Sequence, residues 1–155
     1  MRRKIIGIGI ISFLVDQIIK FIVDKYLVYI NVIPNFFSLV YKKNEGVAFS
    51  LLNGERLIII LLSLVLIIFL FNIINNDYLK SHKENKLKNV MYGLLLGGIF
   101  GNLFDRIIRG YVIDYISLNI FGYMFPVFNL ADVLIIVGVI LIIIFSFLDE
   151  KDKVE

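Results

Sequence analysis

From about Leu57 to Ile74 the chain is almost wholly Leu, Ile, Val and Phe and carries no charge. A bilayer core takes about 20 mostly apolar residues as a helix, so a run of this length is suited to crossing one. Three other runs are comparable. They extend from about Ile5 to Val23, interrupted by Asp16, Gln17 and Lys20; from about Val90 to Ile107, rich in Gly and ending in Asn102, Asp105 and Arg106; and from about Ala131 to Leu148, with Asp132 near its start. Composition agrees, since 59% of the 155 residues are hydrophobic, against roughly 45–50% in soluble domains. The pattern predicts an all-α membrane protein of one domain, 1–155, with spans at about 5–23, 57–74, 90–107 and 131–148.

What the chain lacks narrows its chemistry. There is no Cys and only one His, which removes thiolate nucleophiles, Cys-ligated zinc or iron–sulfur sites and a multi-His metal site. No metal or cofactor is expected. A net charge of +3, spread in short groups, gives a nucleic-acid partner little support. Hydrolytic chemistry would have to run on carboxylates, hydroxyls or Lys.

The start, Met1-Arg2-Arg3-Lys4 followed by an apolar run, has the look of a signal peptide, but no small-x-small cleavage site follows,. An uncleaved first span is the better reading. Arg2, Arg3 and Lys4 then lie on the cytoplasmic side, and an even number of spans returns the C-terminus there. The basic residues of the connection between spans two and three (Lys80, Lys83, Lys86, Lys88) and of the tail (Lys151, Lys153) agree. The long outer connection, about 24–56, has β-prone runs at Phe36 to Tyr41 and Val47 to Leu52, separated by Lys42-Lys43-Asn44-Glu45-Gly46, which predicts a hairpin at the membrane surface. The second outer connection offers another short strand at Tyr111 to Ile116 and then aromatic residues around Pro126, which suit the interface.

Depth arithmetic groups the polar residues. At 1.5 Å per residue, Lys4 to Asp16 is roughly 18 Å, Lys88 to Asn102 roughly 21 Å and Asp132 to Asp149 roughly 25 Å. All three polar groups therefore fall in the outer part of a core about 30 Å thick. Buried ionisable groups cost several kcal/mol unless paired or useful. Asp16 and Lys20, spaced i, i+4, either neutralise each other or face a substrate. Asn102, Asp105 and Arg106 share one face, as a salt-bridged helix end or as part of a site. Asn129 and Asp132 suit a helix start, where a short polar side chain caps and an acid meets the dipole. Capping does not account for Asp114, which brings another carboxylate to the same side.

Two carboxyls at a poorly solvated site suit acid–base hydrolysis of an amide. Like charges close together cannot both ionise easily, so one group keeps a proton while the other activates water. Asp114 and Asp132 fit that division, although such a pair titrates as a unit. Ser12, Ser63 and Ser146 read as helix-packing residues. Ser50 and Ser117 lie at the outer side, where a Lys partner would have to lose its charge in a solvated loop, and His82 sits among charges on the inner side. A small proton- or cation-conducting transport subunit is the alternative reading of intramembrane acids. A conduction path should carry polar groups through the whole depth, whereas span two is charge-free.

Five segments, in order, resemble the lipoprotein signal peptidases (signal peptidase II), bacterial four-span aspartic peptidases. They are Asp16-Gln17-Ile18-Ile19-Lys20, Asn44-Glu45-Gly46-Val47-Ala48-Phe49-Ser50, Gly101-Asn102-Leu103-Phe104-Asp105-Arg106, Gly110-Tyr111-Val112-Ile113-Asp114-Tyr115-Ile116 and Phe128-Asn129-Leu130-Ala131-Asp132. The resemblance implies an endopeptidase of the bacterial cytoplasmic membrane that cuts prolipoproteins just before their diacylglyceryl-modified Cys, with the active site towards the extracytoplasmic face beneath a small β-cradle. It puts the catalytic pair at Asp114 and Asp132. Asp16, Asn44, Gly46, Asn102, Asp105, Arg106 and Asn129 fall on motif positions that line the family's site, with Asp105 expected to act structurally through Arg106 or nearby backbone. Membrane lipid is an implied partner and globomycin an implied inhibitor. Glu45 stands where the family more often has Thr, and Met124-Phe125-Pro126 where a Trp is frequent.

The topology is directly testable. A reporter fused after Glu155 is expected on the cytoplasmic side, and one inserted beside Asn44 on the opposite side. The reverse result in either case would remove the common depth on which the polar grouping rests.

Overall fold

In the computed structural model, residues 2–46, 51–80 and 85–151 are described. Four helices, α1 (Arg2–Tyr26), α2 (Arg56–Lys80), α3 (Lys86–Ile108) and α4 (Leu130–Lys151), accompany four strands, β1 (Tyr29–Ile33), β2 (Phe37–Asn44), β3 (Val112–Ile120) and β4 (Tyr123–Met124). All four helices are long and apolar enough to cross a bilayer. The expected spans lie within them, each extended by a few residues at its ends.

The outer surface of the bundle is apolar and its buried stripes are partly polar. In α1 the buried residues Ile5, Gly9, Ser12, Asp16, Lys20 and Val23 recur every three or four positions and form one face. Ile11, Leu14, Ile18 and Phe21 on the other sides are exposed. This is the arrangement that suits lipid outside and polar groups gathered within.

Helix α3 is the centre of the bundle, because its glycines admit a neighbour on each side. A Cβ on Gly93 would lie 2.6 Å from the Ile8 Cβ, and one on Gly97 2.5 Å from the Ser12 Cβ and 2.8 Å from the Gly9 carbonyl oxygen. On Gly101 it would meet the Asp16 carboxylate at 2.6 Å. These three positions, four residues apart, let α1 approach backbone to backbone, as small-residue stripes do in membranes. Gly98 faces the other way, where a Cβ would come within 2.5 Å of the Ala131 carbonyl oxygen in α4. Helix α2 packs on the end of α3 remote from the sheet, where Leu70 and Ile74 join Ile5, Tyr92, Leu95 and Leu96 in one cluster. That end is locked by Asp77, which accepts a 2.6 Å hydrogen bond from the Tyr92 hydroxyl and pairs with Lys88 at 3.0 Å.

The strands form one antiparallel sheet in the order β1-β2-β3-β4. The first hairpin differs from the expected one. It joins β1 to β2 through Pro34-Asn35, with Asn35 at φ 59° and a Phe36 N–H to Ile33 carbonyl bond of 3.1 Å. Pro followed by a residue of positive φ is a type II turn. Lys42, Lys43 and Asn44, expected between two strands, instead continue β2 and pair with Asp114, Ile113 and Val112 of β3. Their strand conformation is held by a partner distant in sequence. Leu51 and Leu52 lie in a turn, and residues 47–50 of the second expected run, with Ser50, fall outside the described residues, as does His82. The strand expected at Tyr111 to Ile116 is present and runs on to Ile120.

Close packing at Gly97 predicts a specific cost. Gly97→Ala is expected to lower stability in detergent by about 1–3 kcal/mol through overpacking. Gly7→Ala, which has open space around it, should gain up to about 1 kcal/mol from helix propensity. Thermal unfolding of the two purified variants distinguishes packing from propensity.

Candidate active site

At the sheet end of the bundle a buried ammonium holds three side chains together. Lys20 is fully buried. Its Nζ lies 2.9 Å from Asp16 Oδ2, one turn back, and 2.9 Å from Asp105 Oδ2 of α3, and it donates a 2.9 Å hydrogen bond to Asn102 Oδ1. Arg109 pairs with Asp105 Oδ1 and donates to Gln17 Oε1 at 3.1 Å. The Gln17 amide in turn donates to Asp16 Oδ2 at 3.1 Å and Asp105 Oδ1 at 3.2 Å. Two cations thus balance two carboxylates. Removing any one member would leave a buried charge unpaired, which costs several kcal/mol.

The intrahelical reading of Asp16 and Lys20 is therefore observed, and Lys20 also crosses to α3. Asp105 works through Lys20, Arg109 and Gln17 and not through Arg106. Arg109 at i+4 shares the face of Asp105, whereas Arg106, the next residue, is turned about 100° away. Gln17 and Arg109 are further members of the site, beyond those the sequence motifs indicate. The i, i+4 spacing of Asp105 and Arg109 was the available signal.

The start of α4 is built from side chains of three other segments. Its first N–H, Leu130, donates to the Tyr115 hydroxyl at 3.2 Å, and its second, Ala131, to Asp16 Oδ1 at 3.0 Å. The third, Asp132, donates to Asn129 Oδ1 at 3.0 Å, while the Asn129 N–H donates to Asp132 Oδ2 at 3.1 Å. That reciprocal pair is a capping box with an acid at its third position. The capping expected of Asn129 is real, and it leaves the Asn129 side-chain N–H groups free for another task.

Those N–H groups reach the second carboxyl. Asn129 Nδ2 donates to Asp114 Oδ1 at 2.6 Å and to Asn102 Oδ1 at 3.3 Å, and Asn102 Nδ2 donates to Asp132 Oδ1 at 2.7 Å. Asn44 Nδ2 donates to Asp114 Oδ2 at 2.8 Å. Between Leu39 and Lys42 the β2–β3 register slips by one residue, a bulge of the kind that re-aims side chains beside a site. Past it, Asn44 stands on the side of Asp114. Its Oδ1 accepts from the Gly46 N–H at 3.0 Å, and the Gly46 carbonyl accepts from Arg106 Nη2 at 2.7 Å. Arg106 Nη1 donates to the Asn102 carbonyl at 3.1 Å. Arg106 thereby clamps the turn that orients the Asn44 amide.

Every residue expected to line the site is in this network, drawn from α1, β2 and the turn after it, α3, β3, and the cap and first turn of α4. Asp114, only 1% exposed, has its carboxyl pushed up to about 6, first by burial and then by the neighbouring Asp132 charge. The hydrogen bonds from Asn44 and Asn129 and the charge of Lys20 oppose that rise. Two of the Ser candidates behave as helix residues. Ser63 and Ser146 bond back to the carbonyls of Ile59 at 2.8 Å and Ile142 at 2.9 Å.

The comparisons with known proteins fit this geometry. The family described as Signal peptidase (SPase) II matches residues 8–148. The lipoprotein signal peptidase of Staphylococcus haemolyticus (strain JCSC1435) is 35% identical, with 94% of this chain and 92% of the relative covered. That of Staphylococcus aureus (strain JH9) is 34% identical, with 96% and 90% covered. A bacterial membrane enzyme solved by the in meso method at 2.3 Å superposes with a TM-score of 0.83 at 34% identity, covering 96% of this chain and 90% of that one. With a match along most of its length, the chain belongs to the signal peptidase II family.

Proposed function

We propose that this peptidase removes the signal peptide of diacylglyceryl-modified prolipoproteins with an aspartic dyad, Asp114 and Asp132, cutting just before the lipidated Cys. The observation that carries the reading is that two carboxyls from separate elements are bridged by one residue, Asn129, which bonds to both. The charge count supports it. Lys20, Arg106 and Arg109 face four carboxyls, Asp16, Asp105, Asp114 and Asp132. One proton retained on the dyad makes the buried cluster neutral, as its low dielectric demands.

In this mechanism Asp132 takes a proton from a water whose oxygen adds to the scissile carbonyl carbon, and Asp114 gives its proton to the carbonyl oxygen. Collapse of the tetrahedral intermediate breaks the C–N bond, returns the hydroxyl proton to Asp114, and passes the proton held by Asp132 to the leaving amine. The products are the signal peptide's carboxyl end and the free α-amine of the lipidated Cys. Asn44 and Asn129 hold Asp114, Asn102 holds Asp132, and Arg106 with Gly46 fixes the turn bearing Asn44. Asp16 and Asp105 act as positioning residues through Lys20. The inferred arrangement has both termini cytoplasmic and the site at the extracytoplasmic face, open to membrane lipid and to a globomycin-type inhibitor. A transport role has no support, since the acids of the site gather at one end of the bundle and the family is one of peptidases.

Asp114→Asn and Asp132→Asn are each expected to lower cleavage of a lipidated prolipoprotein by at least ~10³-fold, the upper range for a lost acid–base group. Cleavage that survives both changes would remove the dyad. The pH profile has a defined sign. The shared proton is present below about 6 and is lost as pH rises through the Asp114 value, so kcat/KM should fall on the alkaline side. Asn44→Ala removes a hydrogen bond that favours the ionised carboxyl, so in the residual activity the alkaline limb should move to higher pH. A limb that moves down would contradict the role given to Asp114.

A further inference from the structure

The turn joining β3 to β4 is built against the preference of its first residue. Ile120 pairs with Tyr123, which leaves a two-residue loop, Phe121-Gly122, with φ of 52° and 87°. Positive φ at both positions is the type I′ turn, where Asn-Gly or Gly-Gly is the usual choice. A bulky aromatic residue at positive φ is an outlier. Among the described residues Phe121 gains no packing in return, for it is fully exposed at 105%. Around it Ile120, Tyr123, Met124 and Phe125 are exposed as well. No charged residue occurs between Asp114 and Asp132, which is unusual for a hairpin surrounded by water.

The placement of the hairpin indicates what covers it. Ile113 and Tyr115, on one face of β3, cluster with Val23 and Ile19 of α1 and with Leu130 of α4. This part of the strand therefore packs on the ends of two membrane-spanning helices. Its return segment is tied down too. Ile116 and Phe128 exchange backbone hydrogen bonds of 2.8 and 3.1 Å, and the Phe125 and Phe128 rings meet edge to face at 5.9 Å, two residues before α4 begins. The return segment of the apolar tip thus leads directly into the start of a membrane-spanning helix, the end of a span being where aromatic residues suit the interface,.

We propose that the Phe121 hairpin is a lipid-interface anchor, in which the aromatic tip inserts among the acyl-chain ends nearest the headgroups of the bilayer that the four helices cross. The tip follows directly on the strand that carries Asp114 and lies seven residues from it, about 23 Å at the extended rise per residue. Anchoring one end of β3 in lipid and the other on the bundle sets the height of Asp114 relative to the membrane surface. The anchor depends on the helices spanning a bilayer and is independent of the peptidase chemistry.

The chain contains no Trp, so a single Trp is an unambiguous probe. Phe121→Trp and, separately, Tyr123→Trp are made in the full chain and reconstituted in phosphatidylcholine vesicles, with and without lipids brominated at defined acyl positions. Both Trp residues are expected to emit to the blue of water-exposed Trp and to resist quenching by iodide. Both should lose most intensity to bromines nearest the glycerol end of the chain. Water-like emission with full iodide quenching would overturn the proposal, since the tip would then be free in solvent. Blue-shifted emission that ignores bromolipids and varies with the protein-to-lipid ratio would also overturn it, in favour of a second copy covering the tip. The Tyr123 variant retains Phe121 and guards against a disturbed turn in the other.

Discussion

The ammonium of Lys20 is the contact on which the rest of the structure depends. Within a bilayer no hydrophobic force drives one helix onto another, so association must come from close packing and polar bonds. Lys20 supplies the second by reaching from α1 to Asp105 and Asn102 of α3, and the α3 glycines supply the first by admitting the α1 backbone. Each requires the other. Without the glycines the ion pair could not close, and without the ion pair the approach would bury a polar stripe for no return.

From that contact the order of the site propagates through amides. Asn102 accepts from Lys20 and donates to Asp132, and Asn129 donates to Asp114 while capping the helix that carries Asp132. A side-chain amide can accept at one end and donate at the other. It therefore links a buried ion pair to the carboxyls in a fixed orientation without adding charge. Asn44 repeats the device on the other side of Asp114, its oxygen held by Gly46 and its nitrogen facing the acid.

On the proposed reading, structure and chemistry share the same groups. Asp16 is an ion-pair partner and also the cap of a helix N–H in α4. Asp132 is part of a capping box and also a member of the dyad. Burial, which makes unpaired charges costly, is also what raises the Asp114 carboxyl towards neutrality of the medium. A more polar site would hold its helices less tightly and would leave both acids ionised.

The four spans and the gathering of polar residues towards one end of them were legible in the sequence, because each is a matter of local composition and of counting along a helix. Strand β3 was legible for the same reason, through its run of β-prone residues. Lys42 to Asn44 depart from the turn that their composition predicts, since pairing with β3 and not local turn preference decides their conformation. Likewise Asp105, expected to act through Arg106 or nearby backbone, meets Arg109 and Lys20, which the helix face and the space beside α1 select. The sequence by itself determined which elements form and which residue types reach the membrane's polar end. Only the tertiary structure decided which of them touch, because a buried hydrogen bond or ion pair depends on angstrom-scale distances between segments, and the spacing of residues along one segment does not specify those.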